Sequence, residues 1–431
     1  MSAGVRRAGR WLAASAAFFL AACDNPAPAP QQRPPAAKPS YDAELRKLDA
    51  AITDGLSLST KRNDEALLRI EVASLYVERA RLTGAYADYG RAQAVLDALP
   101  ESARALPSVC LARAKLHFTL HRLAKATAAL AECPAAPDDP QQAALRADIA
   151  MHSGRYAEAG ATFRALVNAS GLSPQYVQLA LLRSHTGAPG EATALLEAAE
   201  KRYHGGSATT KAWLKLQRGL VALDRGQLEE ALAMYRLASD ELPGWWLIDE
   251  HIAEALAFEG KHDEARRIYK DVIERTGAPE FLDALAAIEA HDGHEAESRA
   301  LLARARKAYE DRLASFPEAA AGHALAHYLR DPADAKFALE LARRNHATRP
   351  GGEATVELAK AWLLSGRADN AIPLLEAELA KGWDTAETWW VLSEALKRAG
   401  RNERSVAARQ NALQRNPRSE QMYALAPAPG R

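Results

Sequence analysis

A small residue recurs along most of the chain at nearly constant intervals, and this ladder is the strongest constraint on the fold. Its rungs, of which only Phe337 is large, are Ala92, Ala126, Ala159, Ala192, Ala231, Ala265, Ser298, Phe337, Ala371 and Ser405. The intervals between them are 34, 33, 33, 39, 34, 33, 39, 34 and 34 residues. A period near 34 is typical of an array of helical hairpins, in which each hairpin buries its apolar face against its neighbours.

Two other positions repeat in step with the ladder. A large apolar residue follows nine of the rungs after four residues: Leu96, Leu130, Phe163, Leu196, Tyr235, Tyr269, Leu302, Leu341 and Leu375. This spacing places a small and a large side chain on one face of a helix. A glycine suited to the turn that ends a helix precedes seven rungs by five residues: Gly154, Gly187, Gly226, Gly260, Gly293, Gly366 and Gly400. From residue 42 onward the chain is also rich in helix-forming Ala, Leu, Glu and Arg, so the pattern predicts an all-α fold.

This pattern resembles the tetratricopeptide repeat. Four residues of the last unit fall in the register of that family: Trp389, Leu392, Ala412 and Pro417. Phe337 and Ser405 depart from its usual alanine. The resemblance implies a superhelical α-solenoid of about ten hairpins over residues 64–419, preceded by a helix and linker at 42–63 and followed by a tail at 420–431.

Three irregularities in the ladder predict local features. The two intervals of 39 residues mark insertions, one a loop at residues 203–210 and the other an overlong second helix at residues 307–317. In the last unit Arg409 takes the position of the large apolar residue. A polar residue there is expected of a terminal repeat that caps the array.

The amino terminus carries a targeting signal. Arg6, Arg7 and Arg10 precede an apolar run at residues 11–22 that is too short to span a bilayer, as in a secretory signal peptide. The stretch Leu-Ala-Ala-Cys ending at Cys23 resembles the lipobox of bacterial lipoproteins, which implies a signal peptide at 1–22 and lipidation of Cys23. The alternative is a cysteine that merely follows a signal core.

The residues after the cysteine complete this interpretation. Residues 23–41 are rich in Pro and Ala and predict a lipidated, extended tether. Asp24 resembles the signal that retains lipoproteins of enteric bacteria in the inner membrane. We therefore expect a protein anchored through lipid on the periplasmic side of a bacterial envelope, with the inner membrane favoured.

Charge and motifs exclude several function classes. Lys plus Arg and Asp plus Glu both number 55, which argues against a nucleic-acid-binding protein. None of the motifs GxSxG, GxxxxGK[ST], GxGxxG, HExxH or CxxC is present, so we expect no enzyme and no cofactor.

Histidines offer only weak metal-site candidates. The pairs His117/His121 and His323/His327 have the four-residue spacing of shared metal ligands, but neither has a third ligand nearby. For both pairs a polar helix face is the favoured explanation over a metal site. For His291 and His294 a solvated turn is favoured in the same way. No metal is therefore expected.

Cys110 and Cys133 are expected to meet. In the repeat register Cys110 lies near the start of a first helix and Cys133 near the end of the second helix of the same hairpin. Antiparallel packing brings these two ends together, and a secreted protein lies in an oxidising compartment. A structural disulfide is favoured, with a redox pair or two small core residues as alternatives.

In the resembling family, first-helix positions line the concave wall that binds partners. Transferred to this chain, the candidate partner-binding residues are Trp213, Leu216, Leu220, Glu250, Glu254, Lys360, Trp390, Lys397 and Arg398. Trp390 is the preferred contact because Trp389 is assigned to the core and Trp390 is turned roughly 100° from it. The alternative for the apolar members is burial between repeats.

These features favour a membrane-anchored periplasmic scaffold that binds unknown envelope proteins. An alternative is a solenoid whose channel binds a small ligand or an envelope glycan, and a third is an enzyme without a recognisable motif. Aromatic residues facing an open groove would support the channel, whereas a groove closed by packing would exclude it.

Overall fold

The computed structural model describes residues 39–61, 66–104, 106–134 and 139–425. The predicted signal peptide at 1–22, Cys23, Asp24 and most of the tether lie outside the described residues, as do residues 426–431. None of the described helices combines the length and apolarity needed to cross a membrane.

The described residues form 22 α-helices and two short 3-10 helices. The α-helices are α1 Tyr41–Lys61, α2 Ala66–Thr83, α3 Tyr86–Asp97, α4 Pro107–Thr119, α5 Leu123–Ala131, α6 Pro140–His152, α7 Tyr156–Ser170, α8 Ser173–His185, α9 Pro189–Arg202, α10 Ala208–Asp224, α11 Leu228–Glu241, α12 Trp246–Phe258, α13 His262–Thr276, α14 Pro279–His291, α15 Glu295–Ser315, α16 Pro317–Tyr328, α17 Ala335–Thr348, α18 Gly352–Leu364, α19 Ala368–Ala380, α20 Ala386–Arg398, α21 Asn402–Arg415 and α22 Ser419–Met422. The 3-10 helices are Glu101–Ala103 and Pro332–Asp334.

Helices α2 to α21 pack as ten consecutive hairpins, numbered 1 to 10 from the amino terminus. Helix α1 packs on hairpin 1, and α22 follows hairpin 10. The predicted α-solenoid of tetratricopeptide type is confirmed.

Positive-φ residues close the hairpins as predicted. The seven glycines that precede the rungs all have φ between +71° and +86°. In hairpin 5, for example, the amide of Gln227 donates to the carbonyl of Ala222 over 3.0 Å, the long bond of a Schellman motif. His121 occupies the same position in hairpin 2 with φ of 59°, where the pattern contains no glycine.

The rungs are buried where the second helix meets the first. All seven alanine rungs have no exposed surface. Ser298 donates its hydroxyl to the carbonyl of Ala286 over 2.8 Å, and Ser405 donates to the carbonyl of Ser393 over 2.9 Å. The serine rungs are therefore accommodated, because each hydroxyl has an acceptor on the first helix of its own hairpin.

Phe337 is not a rung, and the prediction is wrong there. Its side chain is 42% exposed, whereas the next residue, Ala338, is fully buried. The 3-10 helix Pro332–Asp334 precedes α17 and shifts the register of that helix by one residue. Phe337 packs instead on Tyr328, with ring centroids 4.5 Å apart.

The other irregularities take the predicted form with one adjustment. Helix α15 has 21 residues and is the overlong second helix. The loop at the first insertion covers only residues 203–207, because Ser207 accepts a bond from the Thr210 amide and so caps α10. Arg409 lies over Trp390, with its guanidinium carbon 4.7 Å from the ring centroid.

The superhelix is wound so tightly that its successive turns touch. The indole N–H groups of Trp245 and Trp246 both donate to the carbonyl of Leu82, over 3.3 and 2.8 Å. Arg122 pairs with Glu318 over 3.2 Å. These contacts join the turns of hairpins 1 and 2 to the starts of α12 and α16, 163 to 196 residues later in the chain.

The same pairing continues towards the carboxyl terminus. The amide of Asp384 donates to the carbonyl of His185 over 2.8 Å, and Trp383 stacks on the His185 ring at 4.5 Å. Asn416 donates to the carbonyl of Asp224 over 3.1 Å. The turns of hairpins 1, 2, 4 and 5 therefore each meet a segment about five to six repeat lengths farther along the chain.

This closure buries the inner helices on all sides. Every residue of α14 from Pro279 to Glu289 is buried. The largest hydrophobic cluster extends from Leu82 in α2 to Tyr423 after α22. A helix with no exposed face is expected at the centre of a packed body rather than along an open groove.

The packing of the helices predicts that Gly→Ala substitutions at two positions have different effects on stability. A Cβ at Gly219 in α10 would lie 2.3 Å from the ring of Tyr235, whereas a Cβ at Gly190 in α9 would meet nothing within 4 Å. We expect Gly219→Ala to lower the free energy of unfolding by about 1–3 kcal/mol through overpacking. Gly190→Ala should leave it unchanged or raise it by up to about 1 kcal/mol. Urea denaturation measures both, and equal stabilisation by the two substitutions would contradict the packing.

Candidate functional site

The closed superhelix removes most of the predicted inner wall from solvent. Five of the candidate partner-binding residues are at most 3% exposed: Trp213, Leu216, Glu250, Glu254 and Trp390. Leu220 is half-buried against the main core. The expectation that the five face an open concave wall is wrong, because their side chains are buried in the packing of the helices.

Glu250 and Glu254 form an internal cluster rather than an acidic rim. His251 lies between them, with nitrogen–oxygen distances of 3.1 Å to Glu250 and 3.4 Å to Glu254. Burial raises the pKa of Glu250 to about 8, against the opposing effect of His251. These groups lie inside the fold and are therefore not available to a partner.

The two adjacent tryptophans exchange their expected roles. Trp390 lies in the core of hairpin 10 under Arg409, whereas Trp389 is half-buried at its edge. The indole of Trp389 donates to Asp384 over 2.6 Å, and Arg415 lies over its ring. The assignment of Trp389 to the core is therefore wrong, because the buried position of α20 lies one residue later, at Trp390.

The remaining candidates meet at the carboxyl-terminal end. Lys360 and Arg398 line a groove of about 640 Å³ that we call the C-terminal groove. Its walls are Ala326, Leu329, Lys360, Leu363, Leu364, Glu387 and Arg398, together with residues 422–425 of the chain's own end. Lys397 is exposed on α20 next to Arg398. The structure thus brings two of the nine candidates, Lys360 and Arg398, together in one groove.

The groove combines an apolar floor with a partly neutralised basic rim. Lys360 is paired with Glu387, and Arg398 donates to the carbonyl of Leu363 over 3.1 Å. Burial lowers the pKa of Arg398. A groove of this kind suits a short segment that inserts an apolar side chain and presents a carboxylate to the rim.

A second cavity lies where hairpins 3 and 4 meet the linkers before α18 and α20. We call it the inter-turn cleft; it has a volume of about 620 Å³, which includes open solvent. A Cβ at Gly351 would lie 2.8 Å from the carbonyl oxygen of His152, and one at Gly352 would overlap Trp383. The glycine pair therefore permits the close approach of the two turns.

The inter-turn cleft is lined by ionisable groups whose charge is suppressed. Asp148 accepts a bond from Gln178 over 2.8 Å, and burial raises the pKa of Asp148 to about 7. Burial also lowers the pKa of His152 to about 4. The lining contains Arg349 and Glu353 as well, but no side-chain hydroxyl or thiol among its described residues that would act as a nucleophile.

Sequence reasoning missed the residues of the inter-turn cleft. The one local signal is the Gly351-Gly352 pair, because glycines at the start of a helix indicate a close approach of backbone. Asp148 and Trp383 occupy ordinary repeat positions. Nothing in their spacing distinguishes them from surface residues.

The His323/His327 pair does not converge on a common point. His323 lies 3.3 Å from Glu280, and His327 lies 2.8 Å from Asp283, so each imidazole contacts a different carboxylate of α14. Burial raises the pKa of Glu280, but Arg312 and His323 outweigh it, and the pKa falls to about 2. These contacts join hairpins 7 and 8.

Cys110 and Cys133 are joined by a disulfide in the structure, with their Cα atoms 5.4 Å apart. The bond links the start of α4 to the residues that follow α5. Both residues are buried. The disulfide therefore crosslinks the two helices at the open end of hairpin 2.

Comparison with known proteins adds little beyond the architecture. No protein-family model matches the chain, and no curated protein matches it. Among solved structures it is similar to a human IFIT1 dimer with PPP-AAAA, at 14% identity over 86% of this chain and 94% of that chain, with a TM-score of 0.39. PilW, a widely conserved type IV pilus biogenesis factor, shares 17% identity over 49% of this chain and 94% of that chain, with a TM-score of 0.40. MamA shares 15% identity over 38% of this chain and 95% of that chain, with a TM-score of 0.33. At these values none of the matches supports a functional argument.

The raised pKa of Asp148 predicts a pH-dependent stability. The folded state holds the proton to about pH 7, whereas the unfolded state releases it near pH 3.8, so the fold loses stability as the pH rises between these values. Asp148→Asn keeps the acceptor for Gln178 and removes this loss. We expect it to raise the free energy of unfolding at pH 8 by on the order of 1–3 kcal/mol, with no gain at pH 4.

An exposed aspartate provides the matched control. Asp97 also accepts a bond from a glutamine side chain, Gln93, over 3.4 Å. Urea denaturation of Asp97→Asn should follow the wild type at both pH values. A gain at pH 4 equal to that at pH 8 would show that Asp148 does not titrate as described.

Proposed function

We propose that this protein is a lipid-anchored periplasmic adaptor whose C-terminal groove binds a segment of another envelope protein. The observation that carries the proposal is the position of Lys360 and Arg398 beside an apolar floor at the carboxyl-terminal end of the superhelix. The repeat fold supports a scaffold that mediates protein–protein interaction. The residues of the groove supply the place where one interaction would occur.

The apolar floor favours a protein segment as the occupant. Leu363 and Leu364 are 1% and 3% exposed, so they form a packed base rather than a loose surface. The groove has a volume of about 640 Å³, which includes open solvent. That space admits one or two side chains and a short extended segment, but not a whole helix.

The amino terminus supports the membrane setting. The resemblance of the stretch before Cys23 to a lipobox implies acyl chains at that residue, and two or more chains anchor a protein stably. Residues 24–40 would extend to roughly 50 Å if they adopt the proline-rich conformation. The array would then stand clear of the bilayer surface and reach partners in the periplasm.

The tryptophans of the inner wall do not support the ligand-channel alternative. It requires aromatic side chains that face an open groove, yet Trp213, Trp245, Trp246 and Trp390 are at most 3% exposed. The superhelix is closed by packing along the described turns. We therefore prefer the adaptor.

Photocrosslinking in native membranes tests the proposal. A photoreactive amino acid at Lys397, beside the groove, should give one discrete protein adduct. The same amino acid at Lys336, an exposed lysine on the outer helix α17, should not give that adduct. The adduct at position 397 should also disappear when Cys23→Ser releases the protein from the membrane fraction.

Two outcomes would contradict the adaptor. Identical adducts at positions 397 and 336 would show contact without specificity. The absence of any adduct at 397 or at neighbouring groove positions, with the protein folded and membrane-bound, would show that the groove binds no protein.

A further inference from the structure

Two histidines and an aspartate meet at the turns of hairpins 6 and 7. His262 begins α13, His291 ends α14, and Asp292 directly follows α14. The Nδ1 atoms of His262 and His291 lie 2.9 and 3.0 Å from the same oxygen, Oδ1 of Asp292. The two rings meet edge to face with centroids 4.4 Å apart.

The arrangement is close to that of a three-ligand metal site. One nitrogen or oxygen of each residue lies within 4.8 Å of the others. In a tetrahedral site with metal–ligand distances of about 2.0–2.1 Å, neighbouring ligand atoms are about 3.3–3.4 Å apart. The two nitrogen–oxygen distances therefore need to lengthen by only a few tenths of an ångström to admit an ion.

The surrounding charges favour a divalent cation. Three carboxylates, those of Asp263, Glu289 and Asp292, surround the single guanidinium of Arg266. With neutral imidazoles the cluster has a formal charge of −2. Arg266 pairs with the other oxygen of Asp292, so it orients the carboxylate and leaves Oδ1 towards the histidines.

We propose that His262, His291 and Asp292 bind a divalent transition cation of the Zn²⁺ class, with water in the fourth position. Two imidazoles and one carboxylate suit Zn²⁺ and its neighbours better than Mg²⁺ or Ca²⁺, which take oxygen ligands. The ion would join adjacent hairpins at their turns. Because its ligands come from both hairpins, the ion would raise the free energy of unfolding, and tighter binding to the folded state would raise it more.

Local sequence pattern does not reveal this set. His291 and Asp292 are neighbours, but His262 lies 29 residues earlier on the preceding hairpin. That separation is close to one repeat, so the ligands come together only when two hairpins stack. The site is independent of the C-terminal groove, and its test does not depend on the adaptor function.

The test is a titration of the full chain, in detergent and without a polyhistidine tag, with Zn²⁺ by calorimetry and with Co²⁺ by visible absorption. We expect one equivalent to bind and Co²⁺ to give the intense bands of a tetrahedral site. His262→Ala and His291→Ala should each weaken binding by about tenfold or more. Zn²⁺ should raise the unfolding temperature of the wild type but not of these variants.

His294→Ala is the matched control. His294 lies at the same turn and contacts Glu289 over 2.6 Å, but it does not belong to the ligand set. Its substitution should leave the affinity unchanged. No saturable binding to the wild type, an equal loss in His294→Ala, or full binding by the His262→Ala/His291→Ala double variant would each overturn the proposal.

Discussion

The contact between successive turns of the superhelix determines most of the molecule's properties. Hairpins alone bury only the surface between neighbours, and an open array leaves the inner faces of its first helices in water. Here the turns of hairpins 1 to 6 meet segments that lie about five to six repeat lengths later. Glycines at the points of contact, such as Gly351 and Gly352, allow the backbones to approach. The concave side of the array consequently becomes its core.

Closure explains why so many ionisable groups lie inside. In an open solenoid the first-helix carboxylates would be solvated, but here they require protein partners because a buried charge without one is costly. Arg312 and His323 pair with Glu280, and His327 pairs with Asp283. Asp148 accepts a bond from Gln178, and burial raises its pKa to about 7. The interior thus contains charge pairs beside buried acids, Asp148 and Glu250, whose pKa values are raised to about 7 and 8.

The local features of the fold were predictable, whereas its long-range ones were not. The rungs, the positive-φ glycines and the overlong α15 follow from helical periodicity within a single hairpin. The buried position of α17 was predicted at Phe337 instead of Ala338. The 3-10 helix before α17 shifts the register by one residue, and no periodic pattern indicates this shift. Trp390 was predicted to face a partner but is buried, because two adjacent tryptophans fit the repeat pattern equally well. The contacts that close the superhelix join residues 163 to 222 positions apart, and no local spacing encodes them.

Closure also limits the candidate partner-binding surface. Five of the predicted residues, Trp213, Leu216, Glu250, Glu254 and Trp390, are core, whereas Lys360, Lys397 and Arg398 lie at the surface of hairpins 9 and 10. The last described residues, 422–425, form one wall of the groove beside them. Gln421 meanwhile donates to the carbonyl of Phe258 over 2.8 Å, so the same segment also fastens the two turns. The groove and the closure of the array therefore share a structural element.

Hydrogen exchange at the Asp384 amide tests the closed superhelix most directly. Asp384 lies in a linker, and its amide donates to the carbonyl of His185, which is 199 residues earlier in the chain. If the turns are in contact, this amide should exchange as slowly as those of the adjoining helices. Exchange at the rate of an unstructured linker would show that the turns separate in solution and would contradict the closed form.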